Sequence, residues 1–166
     1  MVSIIDDWGY EVFSNMQSAT PKYFTFLQSY GSDNESIGGF YGIQTTTEEY
    51  RIIAKDNSDI VLKSVNRYGI LTSSTSYNYS QDETPVKIIE TQDNDEYVFV
   101  STIVNNNQDT DIRITKTMQD GTLLWNSIIG YDSEAENLTY GLDEVNDLML
   151  SSENEYIIVG QYHAQH

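Results

Sequence analysis

Cysteine is absent from this 166-residue chain, which excludes disulfides and thiolate metal sites. Histidine occurs twice, and both copies, His163 and His166, lie in the last four residues. Without a histidine elsewhere, the usual Ser-His and Cys-His nucleophile arrangements have no base. No apolar run approaches the roughly 20 residues that a membrane-spanning helix needs, and the first residues do not form a signal peptide. The sequence therefore predicts neither an enzyme of the Ser-His or Cys-His type nor membrane insertion.

Basic residues are also scarce: eight Lys and Arg face 26 Asp and Glu, for a formal net charge of −18. A surface of this sign repels nucleic acid phosphates and anionic lipid headgroups. We therefore expect no nucleic acid partner. The charge favours solubility and is also compatible with a cation or a basic protein as partner.

What the chain does have is a repeated pattern of short apolar segments. Residues 59–69, "DIVLKSVNRYG", and residues 111–121, "DIRITKTMQDG", share an Asp-Ile start, alternating apolar positions and a final glycine. Glu-Tyr pairs precede apolar runs at Tyr50, Tyr97 and Tyr156. Alternation of this kind is typical of strands, and helix-period segments are missing. The sequence predicts an all-β protein.

One unit of the pattern consists of four short strands, predicted in the second copy at residues 86–91, 97–103, 111–118 and 122–129. Polar turn residues separate them. An antiparallel four-stranded unit of this length in tandem is the signature of a β-propeller blade, whereas sandwiches and barrels need no repeat. The predicted fold is therefore a β-propeller.

The motifs Glu-Tyr-Ile-Ile-Val-Gly, Asp-Ile-x-x-x-Lys and Asp-Gly-x-x-x-Trp resemble those of the tandem-repeat β-propellers of secreted and cell-surface bacterial proteins. The best copy runs from Asp111 to Gly160, and the resemblance covers about residues 23–162. It implies an extracellular or cell-surface location and a blade architecture. It implies no particular activity, because the family is defined by its architecture. No tryptophan follows Gly69, which departs from the pattern.

Each repeated residue has a structural explanation. Gly69 and Gly121 allow positive φ in tight turns. Asp59 and Asp111 can accept turn N–H bonds, and Trp125 is expected to fill the space between blades. The tyrosines Tyr50, Tyr97 and Tyr156 are expected to start strands with their hydroxyls toward water.

The blade count predicts an incomplete ring. Residues 38–80 and 84–130 are predicted as blades, residues 131–166 as the first half of a further blade, and residues 1–37 as N-terminal strands that complete a blade. That amounts to about three blades, whereas closed propellers typically need at least four. We therefore expect self-association, a partner protein or membership of a longer propeller.

Calcium is the one candidate cofactor. Asp132, Glu134, Glu136 and Asp143 occupy positions 1, 3, 5 and 12 of a calcium-loop template, but Asn137 stands where that template requires glycine. Weaker alternatives are Asp93 with Asp95 and Asp109 with Asp111. Aromatic residues suggest a glycan platform, with Tyr77, Tyr79, Tyr131 and Tyr140 as candidates.

Three functions are compatible with these observations. The first is a non-enzymatic scaffold or protein-interaction module. The second is a propeller that binds carbohydrate, or another ligand with the help of calcium. The third is a propeller glycosidase or lyase, since carboxylate pairs suffice for glycoside hydrolysis. Fold alone does not distinguish them.

Overall fold

The computed structural model describes residues 3–5, 11–13, 37–92, 95–105, 109–130 and 140–165, and these residues form β-strands joined by turns and short connections. The strands, in chain order, are β1 (Ser3–Ile5), β2 (Glu11–Phe13), β3 (Ile37–Gln44), β4 (Tyr50–Asp56), β5 (Asp59–Val65), β6 (Leu71–Tyr77), β7 (Asp82–Glu90), β8 (Glu96–Val104), β9 (Thr110–Met118), β10 (Leu123–Ile129), β11 (Tyr140–Leu150) and β12 (Tyr156–Gln165). Nowhere in these ranges is there a helix that could cross a membrane.

Antiparallel pairing divides the strands into two four-stranded sheets and two hairpins. The first sheet has the order β3-β4-β5-β6 and the second β7-β8-β9-β10. Strands β11 and β12 form a C-terminal hairpin, which joins the second sheet through a single parallel bridge between Leu142 and Thr110. Strands β1 and β2 pair with each other. For the described residues, the predicted all-β class with antiparallel four-stranded sheets is confirmed.

The first strand of each sheet and of the C-terminal hairpin carries a β-bulge at the same distance from the turn that follows. The register shifts lie between Gly39 and Tyr41, between Pro85 and Lys87, and between Val145 and Asp147. A bulge inserts one extra residue, bends the strand and increases its twist. The three strands therefore begin their hairpins with the same local geometry.

The turns are fixed by residues that tolerate a left-handed backbone. Gly69 and Gly121 have φ values of 81° and 89°, as their positions in the sequence predict. The Gly121 N–H donates to the Met118 carbonyl at 3.0 Å, and the Gly69 N–H donates to the Asn66 carbonyl at 2.9 Å. These bonds close the same turn between the third and fourth strands of both sheets.

The sheets pack face to face through two clusters of buried side chains. The first cluster lies between the two sheets and contains Ile53, Ile60, Leu62, Tyr77, Ile88, Tyr97 and Phe99. The second lies between the second sheet and the C-terminal hairpin and contains Val98, Val100, Ile112, Ile114, Val145 and Leu148. Because successive strand residues point to opposite faces, β8 supplies Tyr97 and Phe99 to one cluster and Val98 and Val100 to the other. The second sheet thus contributes apolar side chains to the interfaces on both of its faces.

Two of the repeated aromatic residues differ from expectation. Tyr97 is completely buried, with the Arg51 guanidinium carbon 5.1 Å from its ring centroid, so its hydroxyl does not face water. Trp125 contacts the Tyr156 ring at a centroid distance of 6.2 Å but remains 39% exposed. Tyr97 is enclosed because it lies on a central strand and faces the first sheet, whereas Trp125 lies on the outer strand β10 and faces the C-terminal hairpin.

Replacing Gly121 with alanine is expected to destabilise the protein by about 1–3 kcal/mol. The positive φ disfavours any Cβ, and an added Cβ would lie 2.5 Å from the Oγ1 atom of Thr75 in β6. Chemical denaturation measures the loss. The double variant G121A/T75A removes the nearest atom, Oγ1, but leaves the Cβ atom of residue 75 at 3.0 Å and the backbone strain in place, so it should recover part of the stability. A G121A protein as stable as the parent would contradict this account.

Candidate interaction surface

A buried ion pair lies on the face of the second sheet that packs against the first. Arg113 in β9 donates from Nε to the Glu83 carboxylate of β7 at 2.8 Å, and both side chains are almost fully buried. The Ser101 hydroxyl of β8 donates to the other Glu83 oxygen at 2.9 Å. Because the three residues lie on adjacent strands of one sheet, the pair ties those strands together.

The other two nitrogens of Arg113 bind side chains of β10 and of the connection between the sheets, residues 78–81. Its Nη2 donates to the Gln81 side chain at 2.7 Å and its Nη1 to the Asn126 side chain at 3.0 Å. The Tyr79 ring centroid lies 4.0 Å from the guanidinium carbon. All three nitrogens of Arg113 thus donate to protein acceptors, and the side chain fixes the connection against the second sheet.

Burial raises the pKa of Glu83, and the interactions with Ser101 and Arg113 oppose this shift without cancelling it. Burial likewise raises the pKa of the Tyr79 hydroxyl. Perturbed groups of this kind mark active sites as well as structural ion pairs. Here the partners of Glu83 are a serine and an arginine within the interface, which favours a structural role.

The predicted calcium residues lie mostly outside the described ranges, namely Asp132, Glu134 and Glu136. Asp143 lies in β11, and its charge contributes, after burial and Asp109, to raising the pKa of Asp111. Among the described residues, no three acidic or histidine side chains converge as a metal site would require. The calcium site stays a prediction.

The predicted glycan platform loses one of its described members. Tyr77 is buried in the first cluster, and its hydroxyl donates to the Gly121 carbonyl at 2.6 Å. Tyr79 is partly buried against Arg113. Both therefore contribute to the interface between the sheets, because Tyr77 is the last residue of β6 and Tyr79 follows it in the connection to the second sheet. Tyr131 lies outside the described residues, and glycan binding stays a prediction.

An open polar cleft of about 410 Å³ lies where the first sheet passes into the second. Asp56, Asp59 and Asp82 line it, together with amide and hydroxyl side chains. Lys55 forms an ion pair with Asp82 at 2.6 Å, which neutralises one carboxylate. The cleft is acidic, and the sequence does not reveal it because its residues come from the turn between β4 and β5 and from the connection between the two sheets.

The C-terminal hairpin exposes an apolar surface that its counterparts bury. Counted from the Glu-Tyr pair, Ile157 and Val159 of β12 occupy the positions of Val98 and Val100 in β8. The two valines are completely buried, whereas Ile157 and Val159 are 43% and 45% exposed and Met149 beside them is 44% exposed. We call Met149, Ile157 and Val159 the forward patch. It lies on the hairpin face that points away from the second sheet.

The outer edge of β12 is also open. Strands β4 and β8 each pair with a neighbour on both sides, whereas β12 pairs only with β11 within the described part of the chain. Strand β10 has only β9 as a described neighbour, and its sequence "LLWNSII" is exposed throughout. The corresponding β6, "LTSSTSY", is mostly polar. Among the residues whose burial the structure describes, β10 and the C-terminal hairpin together expose more large apolar side chains than the first sheet does.

Comparison with known proteins finds no matching family model and no significant match among the curated proteins. Any proposal for its function therefore depends on the residues and geometry of this chain alone.

Proposed function

We propose that this protein is a non-enzymatic β-propeller scaffold, a protein-interaction module that acts at the cell surface or outside the cell. In this proposal the two sheets are blades and the C-terminal hairpin is the first half of a further blade. The ring is completed by self-association or by a partner protein. The equal bulges, the equal turns and the face-to-face packing of successive sheets support the blade interpretation.

The forward patch is the observation that carries the proposal. In the two internal interfaces, the corresponding face of each sheet is covered by the next unit. Ile157, Val159 and Met149 instead leave aliphatic surface in water. A contiguous exposed apolar surface of this kind is typical of interaction sites, and its burial would contribute favourable free energy of association.

We expect light scattering to give twice the chain mass for a folded sample, with circular dichroism showing β structure at the same concentrations. Replacing Ile157 with aspartate should shift the mass to that of the single chain, because burying an unpaired carboxylate opposes association. The matched control is Ile70→Asp, which places the same charge at an exposed isoleucine of the turn before β6. This control should keep the associated mass.

A different result would contradict the proposal. If the unmodified chain is a folded monomer at every concentration, and if I157D changes neither its mass nor its capture of a partner, the forward patch is not an interaction surface.

A further inference from the structure

We propose that the open edge of β12 binds an extended segment of a partner protein, which adds to the hairpin as an antiparallel strand. The segment carries aliphatic residues at alternate positions and a lysine or arginine diagonal to Glu155, within reach of its carboxylate. This inference rests on the proposed interaction function and specifies its partner. Strand addition at an exposed sheet edge is an established mode of peptide recognition, in which backbone bonds give affinity and alternate side chains give specificity.

In the second sheet, β9 shows how a strand would pair at the corresponding edge of β12. Strand β9 pairs with β8 along its whole length, from Thr110 opposite Val104 to Met118 opposite Glu96. Its Ile112 and Ile114 join Val98 and Val100 in the second cluster. Because β12 repeats the pattern of β8, a strand in the same register would place one aliphatic residue opposite Val159 and a second opposite Gln161, on the face of the hairpin that carries the forward patch.

Charge specifies one more position of the segment. Lys116 of β9 forms an ion pair with Glu96 of β8 at 2.5 Å, and both side chains are largely shielded from solvent. Glu155 occupies the corresponding place directly before Tyr156, and it is exposed. A strand that pairs with β12 in the same way would thus bring its lysine side chain within ion-pair distance of the Glu155 carboxylate. The pattern Ile-x-Ile-x-Lys, found at residues 112–116, meets both requirements.

The Trp125 ring lies beside the proposed site. It contacts Tyr156 at the start of β12 and remains partly exposed. The added strand would point its other side chains toward β10, the strand that carries Trp125. The exposed aliphatic residues of the forward patch and the acidic residue at the edge together favour an aliphatic, basic strand over an acidic or polar one.

The test measures binding of a fluorescently labelled peptide, TDIRITKTM, to the full chain by fluorescence anisotropy. This peptide copies residues 110–118. We expect saturable binding, about five-fold weaker for the K116E peptide and at least about ten-fold weaker for the I112S/I114S peptide. The variant Glu155→Lys should reverse the preference between the Lys and Glu peptides. Glu153→Lys, which changes the same charge at an exposed turn residue, should leave the preference unchanged.

Two results would overturn the inference. One is the absence of saturable binding to the unmodified chain, and the other is an E155K protein that ranks the two peptides as the parent does. Either result leaves the light-scattering test unaffected, because the mass change expected for I157D depends on the forward patch and not on Glu155. A failed strand site is thus distinguishable from a failed interaction function.

Discussion

Replacing Arg113 with alanine is expected to lower the free energy of unfolding by about 3–5 kcal/mol. The substitution leaves the Glu83 carboxylate buried without its cation, at a position only 1% exposed. It also removes the donors to Gln81 and Asn126, so the connection between the sheets loses its hydrogen bond to β9 and the Asn126 side chain of β10 loses its partner on β9. Urea denaturation at neutral pH measures the loss.

The pH dependence of this loss has a definite sign. Burial holds the folded-state pKa of Glu83 above its ordinary value of 4.5, while Arg113 lowers it. Between the unfolded and folded pKa values the folded state binds more protons, so the contribution of Glu83 to stability falls as pH rises through this window. Removing Arg113 raises the folded pKa further and widens the window. The R113A protein should therefore lose more stability relative to the parent near neutral pH than at about pH 5.

Two further variants make the Arg113 prediction specific. Arg67→Ala removes the exposed pair with Glu48 and should leave stability unchanged within error, because exposed pairs contribute little. The double variant E83L/R113M replaces both charges with apolar groups and should recover most of the loss. If R113A costs less than about 1 kcal/mol, or if its cost is the same at both pH values, the buried pair does not hold the second sheet as described.

Replacing Phe99 with alanine is expected to cost about 3–5 kcal/mol, because the side chain is completely buried and the surrounding sheets cannot collapse fully into the space. Its ring lies 5.4 Å from the Tyr77 ring between centroids, so the variant also loses an aromatic contact between the two sheets. Thermal and urea unfolding, followed by circular dichroism and by fluorescence, measure the change.

The control for Phe99 is Leu124→Ala, a truncation on the exposed strand β10. It should change stability by about 0.5 kcal/mol or less. We also expect both spectroscopic probes to report a single transition for the parent, since the first cluster joins the sheets into one cooperative unit. A Phe99→Ala protein within about 1 kcal/mol of the parent would show that the sheets do not depend on this cluster.

The sequence by itself determined the strands and the turns. Alternation predicted a strand at residues 111–118, and the structure has Thr110–Met118 there; the glycines that end the motifs have the positive φ that their turns need. These features depend on a few neighbouring residues, so local periodicity and backbone sterics suffice to predict them.

The tertiary structure alone decided which side chains are enclosed and which are left open. The pairing of Glu83 with Arg113, the burial of Tyr97 and the exposure of Ile157 all depend on residues that lie far apart in sequence. Val98 and Ile157 occupy equivalent positions, yet one is covered by the next unit and the other is not. Burial is a property of the packed sheets and not of the strand pattern, because the same apolar alternation is compatible with a covered face and with an uncovered one.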